Sequence, residues 1–233
     1  MVRRALFITA TDTGVGKTVA TFVLGTLLKS RGLDVGVMKP VQCGGNDAAF
    51  LKKALGLDDD IDVINPCYAP EPLSPHLAFR RARKKVDAAK IRRAYTLLRR
   101  RHDVLLIEGA GGLMVPLSAN AAHWRDLAAG GKNNYYNADL IRDLNTEVII
   151  VSRLGLGTIN HTLLTINQAK SQGLKIKGIL FSDTDPGPKG IAEQTNPVEI
   201  KRLSGVKILG TIPYLKHIST KAVLKKCRNI AIN

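Results

Sequence analysis

The run GVGKT, residues 14–18, combines residue types that together handle phosphate. Gly14 and Gly16, on either side of Val15, let a backbone approach an anion closely. Lys17 supplies a point charge for β- and γ-phosphates, and the Thr18 hydroxyl can ligate Mg²⁺. Three further residues suit the same chemistry: Lys39 in KPVQCGGND, Asp47 at the end of that stretch, and Glu108 in IEGAGG. Thr18, Asp47 and Glu108 make a hard-oxygen set fitted to magnesium that bridges phosphates. A second lysine beside Lys17 adds the charge neutralisation that phosphoryl transfer calls for. Each residue has a plainer reading by itself: Glu108 capping a loop, Asp47 capping a helix together with Asn46, Lys39 solvated. Their recurrence at successive strand ends favours a shared site. Gly109, Ala110 and Gly111, just beyond Glu108, are further candidate nucleotide contacts.

Such residues must be held by strands that end beside one another. Short apolar runs at 5–10, 34–39, 103–109, 147–152, 176–181 and 206–212 read as buried strands. Amphipathic segments at 17–31, 46–56, 87–101, 137–144 and 157–172, with a weaker one at 189–203, read as helices. Strands that are apolar throughout belong to a sheet covered on both faces. The alternation predicts an α/β fold of the phosphate-loop (P-loop NTPase-like) kind. It is one domain over 1–233, a doubly wound, mostly parallel sheet with helices on both faces. A phosphate loop must follow a strand and open a helix, and GVGKT does so between ALFITA and KTVATFVLGTLLKSRG. Two segments fall outside the rhythm, 57–79 with its four prolines and 118–136. Both are expected as loops over the sheet edge, where α/β folds place ligands.

Composition narrows the class. The 233 residues are 45% hydrophobic and 23% charged, ordinary for a globular domain. Three cysteines, odd in number and far apart, fit reduced thiols. No apolar run approaches the ~20 residues needed to span a bilayer, and the N-terminus runs straight into the first strand without a signal-peptide pattern. The expectation is a cytoplasmic protein with no membrane association. The formal charge of +16 is unusual. Residues 80–101 carry eleven Lys or Arg against Asp87 alone, which is +10 of that total. No nucleic-acid motif accompanies the block, and Val86, Ile91, Tyr95 and Leu98 form a helical apolar stripe. A solvated helix face is therefore expected rather than a nucleic-acid surface.

With these motifs in order, the sequence resembles the dethiobiotin synthetase family over nearly its whole length. TDTGVGKT is similar to the family's phosphate loop, in which a threonine stands at the place of Thr11 where the general pattern has glycine. KPVQCGG, NPCYAPEPLSPHLA, IEGAGGLMVPL, NADLIRDL, GLGTINHTLLTI and LGTIPYL resemble further family segments in the same sequence. The resemblance implies ATP- and Mg²⁺-dependent closure of a ureido ring from 7,8-diaminononanoate and CO₂ or bicarbonate, through a phosphorylated carbamate, in a homodimer. It implies catalytic roles for Lys39, Lys17 and Thr13, the last facing the substrate end of the loop. Cys43 would contact substrate. The helix start at Thr158, Ile159 and Asn160 would receive the substrate carboxylate from the partner subunit, with a plain capped helix as the simpler reading. Ser182, Asp183, Ile212, Pro213 and Tyr214 would flank the nucleotide base, and His161 would pack against the sheet.

Three positions depart from the family pattern. Ala10 replaces a glycine at the end of the first strand. Cys43 stands where serine is usual, so its thiol is a weaker donor, or a reactive one if Lys39 lowers its pKa. Ser182 replaces an asparagine that would contact adenine, which leaves the base preference open. An alternative of another class is a nucleotide-dependent binding or regulatory protein that uses the basic 80–101 surface.

Overall fold

Branched and aliphatic runs flanked by turn residues fold as strands, and the amphipathic segments between them cover both sheet faces. The computed structural model describes residues 3–119 and 134–232. β1 (Arg4–Ala10) leads into α1 (Lys17–Lys29) and β2 (Val35–Met38). β3 (Val41–Cys43) is followed by α2 (Asp47–Leu55), the single turn α3 (Ile61–Ile64) and β4 (Cys67–Ala69). α4 (Pro75–Arg81) and α5 (Ala88–Arg101) precede β5 (Val104–Glu108). β6 (Pro116–Ala119), β7 (Asn134–Tyr136) and α6 (Asn137–Leu144) lead to β8 (Glu147–Ser152) and α7 (Thr158–Ser171). β9 (Ile176–Ser182), α8 (Ile191–Ser204), β10 (Ile208–Ile212) and α9 (Thr220–Lys226) follow.

The six long apolar runs make one sheet in the order β10-β9-β8-β1-β5-β2, with every adjacent pair parallel. Successive side chains of a strand leave by opposite faces, and both faces here are apolar. Leu6 and Ile8 of β1 pack on one side with Phe22, Leu24 and Leu28 of α1 and Leu51 of α2. Phe7, between them in sequence, packs on the other side with Ile91 and Leu98 of α5 and Ile141 of α6. β5 divides in the same way, Leu106 to the first cluster and Leu105 and Ile107 to the second. This is the expected doubly wound fold, and it brings the carboxyl ends of β1, β2 and β5 side by side.

Residues 57–79 are not the plain loop expected from their prolines. Pro75 opens α4 directly after Ser74, a first-turn position where its missing N–H costs nothing. β4 pairs in parallel with β3 as a small second sheet. Of the 118–136 segment, residues 120–133 lie outside the described residues; its flanks pair as antiparallel β6 and β7. α5 buries Ile91 and Leu98 of the expected stripe together with Ala94, while Tyr95 is half-buried and Val86 precedes the helix; most of its cations turn outward. No described helix is long and apolar enough to cross a membrane.

Candidate active site

The phosphate loop takes its shape from two glycines in the left-handed region, Gly14 at φ 75° and Gly16 at φ 94°. Gly16 caps α1 without a side chain, and no acidic residue stands in the first turn. The helix dipole and its free N–H groups are thereby left to an anion. A Cβ on Gly16 would lie 2.5 Å from the Ser182 hydroxyl oxygen, so only glycine fits beneath β9. The Asp12 carboxylate accepts from the Thr13 N–H at 2.7 Å and shapes the entry to the loop. Ala10 sits in β1 in register with Val151 and has no positive φ, so its place does not need the glycine of the family pattern.

Beside the loop opens a cavity of about 610 Å³ lined by Thr13, Gly14, Gly16, Lys17, Thr18, Lys39, Cys43, Asp47, Glu108, Ala110 and Gly111. Gln42, Pro72, Leu73, Ser74, Pro75 and Val115 also stand in its wall. Lys39 lies just past β2, and its Nζ donates to Glu108 Oε1 at 2.5 Å and to Asp47 Oδ2 at 2.8 Å. Thr18 Oγ1 donates to the same Glu108 oxygen at 2.9 Å. Burial acts to depress the Lys39 pKa, but Glu108 and Asp47 outweigh it and hold the ammonium above its ordinary range. Lys17 is different. Its Nζ reaches only the Asp12 carbonyl, and among the described residues it forms no ion pair. Burial, only partly offset by Glu108, lowers its pKa to about 8.

The oxygen set fits magnesium. Glu108 is fully buried, and its Oε2 has no hydrogen-bond partner among the described residues. A buried carboxylate oxygen left in this way carries a large desolvation cost unless a cation or donor joins it. Among the described residues no three His, Cys, Asp or Glu side chains cluster as a complete metal cage. Mg²⁺ does not require one, because it keeps waters and phosphate oxygens in its shell.

The remaining candidates separate from this cavity. Val15 is buried in the core and Gly109 backs onto the Phe7 ring. Ser182 and Asp183 lie on the other flank of the phosphate loop. The Asp183 N–H donates to the Ile212 carbonyl at 2.9 Å, and its carboxylate accepts from Lys189 Nζ at 2.8 Å. Ile212 is buried, Pro213 half-buried and Tyr214 exposed. At the start of α7 the Thr158 hydroxyl is committed to the Arg153 carbonyl at 2.6 Å and shares a buried hydroxyl cluster with Ser152 and Thr162. Ile159 is half-buried and Asn160 exposed. His161 is exposed rather than packed on the sheet, because the helix turns Thr162 inward instead. The reactive alternative for Cys43 is corrected: burial pushes its thiol up to about 11, outweighing Lys39. All three cysteines are free.

Sequence reading missed the groups that hold the site without touching a ligand motif. Gln42 Nε2 donates to the Gly44 and Gly45 carbonyls, and its Oε1 accepts from the Ala48 N–H at the start of α2. Asn65 Nδ2 donates to the Lys39 carbonyl at 2.6 Å. Both stand in family-like segments, KPVQCGG and NPCYAPEPLSPHLA, but residue type alone assigned them no role.

A family model described as an AAA domain matches residues 4–222. The ATP-dependent dethiobiotin synthetase BioD of Thermodesulfovibrio yellowstonii is 38% identical over 227 residues, covering 94% of this chain and 92% of its own. Its counterpart in Methanococcus vannielii is 36% identical over 209 residues, 89% of this chain and 92% of that one. Among solved structures, a ParA family ATPase from Chlorobium tepidum matches with TM-score 0.55 at 13% identity, over 99% of this chain and 95% of its own. The septum site-determining protein MinD of Pyrococcus horikoshii matches with TM-score 0.54 at 19% identity, over 96% and 86%. These two share the fold.

Proposed function

The chain belongs to the AAA-domain family and, within it, to the ATP-dependent dethiobiotin synthetases, and from that premise we propose how its cavity works. It makes dethiobiotin with ATP, a ligation that forms C–N bonds. In this reading one amine of 7,8-diaminononanoate adds to CO₂ and becomes a carbamate. A carbamate oxygen then takes the γ-phosphoryl group of ATP. The neighbouring amine attacks the carbamate carbon, its proton is lost, the C–O bond to phosphate breaks, and the ring closes.

The observation that carries the reading is the buried Lys39–Glu108 pair joined by Thr18 in the cavity that also holds Lys17, which forms no ion pair among the described residues. An anion must accept phosphate from another anion, so repulsion dominates the barrier, and preorganised cations oppose it. Lys17, free of a carboxylate, takes the β- and γ-phosphate oxygens above the N-terminus of α1. Lys39, held by Glu108 and Asp47, faces the carbamate, and Thr13 lies at the substrate end of the loop. Thr18, Asp47 and Glu108 Oε2 would hold Mg²⁺, which supplies charge neutralisation on the transferring phosphoryl group. Cys43 and the Pro72–Pro75 wall line the place for the diamine chain, with a thiol where a stronger donor would bind more tightly. Ser182, Asp183 and residues 212–214 border the base; Lys189 already engages the Asp183 carboxylate.

The Thr158 hydroxyl is already used, so a carboxylate at the start of α7 would meet the N–H groups of Ile159 and Asn160. A homodimer brings that helix start to the partner's cavity, and the substrates place the enzyme in the cytoplasm. Purified protein given diaminononanoate, bicarbonate and MgATP is expected to yield dethiobiotin, ADP and phosphate, read by mass spectrometry. Absence of ring closure together with DNA binding that weakens steeply with salt would instead support the regulatory reading through residues 80–101.

A further inference from the structure

We propose that Asn137 is a positioning residue that fixes the glycine-rich turn after Glu108 so that the Gly111 N–H serves the reacting anion. The inference rests on the reaction proposed above. Asn137 is the first residue of α6 and wholly buried. Its Nδ2 donates to two carbonyls of that turn, Ala110 at 2.6 Å and Gly112 at 2.8 Å. Both of its amide hydrogens are thus spent on one short stretch of backbone. Its Oδ1 is buried and has no partner among the described residues, a cost to stability that a purely structural residue would be better without.

The consequence for the turn follows from covalent geometry. The described peptides are all trans, and in a trans peptide the N–H points opposite to the C=O. Drawing the Ala110 carbonyl toward Asn137 therefore turns the Gly111 N–H away from the buried amide. Gly111 lies on the cavity wall, and a Cβ on it would stand 3.5 Å from Thr13 Oγ1. Among the described residues this N–H meets no protein acceptor. A fixed donor on the wall that carries Lys39 and Glu108 stabilises negative charge on oxygen as it develops, and needs no reorganisation to do so. Released from Asn137, the Ala110–Gly111 peptide is free to rotate, because Gly111 is at φ 66° and glycine has broad backbone freedom.

The test compares wild type, Asn137→Leu and Asn137→Asp. Asn137→Leu removes the donors and the orphan oxygen together; the Ala110 and Gly112 carbonyls lose their donor, so its melting temperature is expected to fall modestly, with the protein still folded at the assay temperature. Its kcat is expected to fall by roughly 10- to 100-fold, with KM for ATP little changed, as for loss of a preorganised donor. Asn137→Asp keeps the shape and can donate only when protonated, so its activity relative to wild type is expected to recover as pH is lowered. A folded Asn137→Leu enzyme with wild-type kcat overturns the proposal. So does a loss of kcat that disappears at assay temperatures well below the variant's melting temperature, or an Asn137→Asp pH profile parallel to wild type. Wild-type protein that makes no dethiobiotin would instead count against the reaction itself.

Discussion

At the amino edge of the sheet, just before β2 and β5, His102 stands between Asp34 and Asp59 at 3.0 and 2.8 Å. Arg101 takes the other oxygen of Asp59 at 3.0 Å, and Asp103 accepts the Asp34 N–H at 3.1 Å. The His102 ring also fills the space above Gly36, where a Cβ would lie 2.2 Å from it. At the carboxyl edge of the same two strands, Lys39 and Glu108 face each other; among the described residues one oxygen of Glu108 has no hydrogen-bond partner and Lys17 forms no ion pair. Both ends bury charge. Of the two, only the carboxyl edge leaves a buried carboxylate oxygen without a hydrogen-bond partner among the described residues. Matched charge ties strands to neighbouring loops, whereas unmatched buried charge is tolerated where a ligand completes it. The contrast teaches where function sits: in the mismatch, not in the density of charge.

The largest expected break in this contrast is Lys39→Gln. Turnover should fall by about 10²–10³-fold, as for loss of a preorganised transition-state cation, while ADP still binds. Steady-state kinetics with calorimetric ADP titration checks both, and near-normal kcat would remove Lys39 from the chemistry. Next comes the pH response of Lys17, with its pKa lowered to about 8 against an ordinary 10.5. In the unliganded protein its charge is lost as pH rises through about 8, so nucleotide affinity should decline above that point. Between these two values the unfolded chain binds more protons than the folded one, so stability should rise with pH there. Lys17→Met should flatten both trends in affinity titrations and denaturant melts from neutral to alkaline pH. The smallest effect belongs to the amino edge. His102→Ala should cost roughly 1–3 kcal/mol of stability, leaving buried Asp59 one partner short, with kcat within about twofold of wild type. A large loss of kcat in that variant would mean that the two ends are not separable in the way their bonding suggests.

Much of the carboxyl edge was legible from residue type and spacing. Lys17, Thr18, Lys39, Asp47 and Glu108 each follow a strand pattern, and parallel strands must bring their ends together. The basic helix was legible too, since Ile91 and Leu98 mark the buried stripe whatever the cations do. The 57–79 segment was not. Its prolines read as breakers, although Pro75 begins a helix and Cys67–Ala69 pairs with β3. Proline at a first turn and proline in a loop look the same until the neighbours are known. Asn137 and Gln42 stand inside the family-like segments NADLIRDL and KPVQCGG, but neither had a readable role there, because a lone amide has no pattern of its own. Cys43 was misjudged in one alternative for a related reason: Lys39 nearby lowers a thiol pKa, but burial, which only packing reveals, raises it more.

The sequence by itself determined the strand–helix alternation, the parallel sheet and the family, because periodicity and local motifs are properties of the chain. Tertiary structure alone decided which Glu108 oxygen is engaged by Lys39 and Thr18 and which is left over. It likewise decided that Asn137 holds the Ala110 and Gly112 carbonyls, and that Lys17 is buried with no ion pair among the described residues. Hydrogen-bond partners and desolvation depend on atoms brought together from distant parts of the chain, and no local pattern records them.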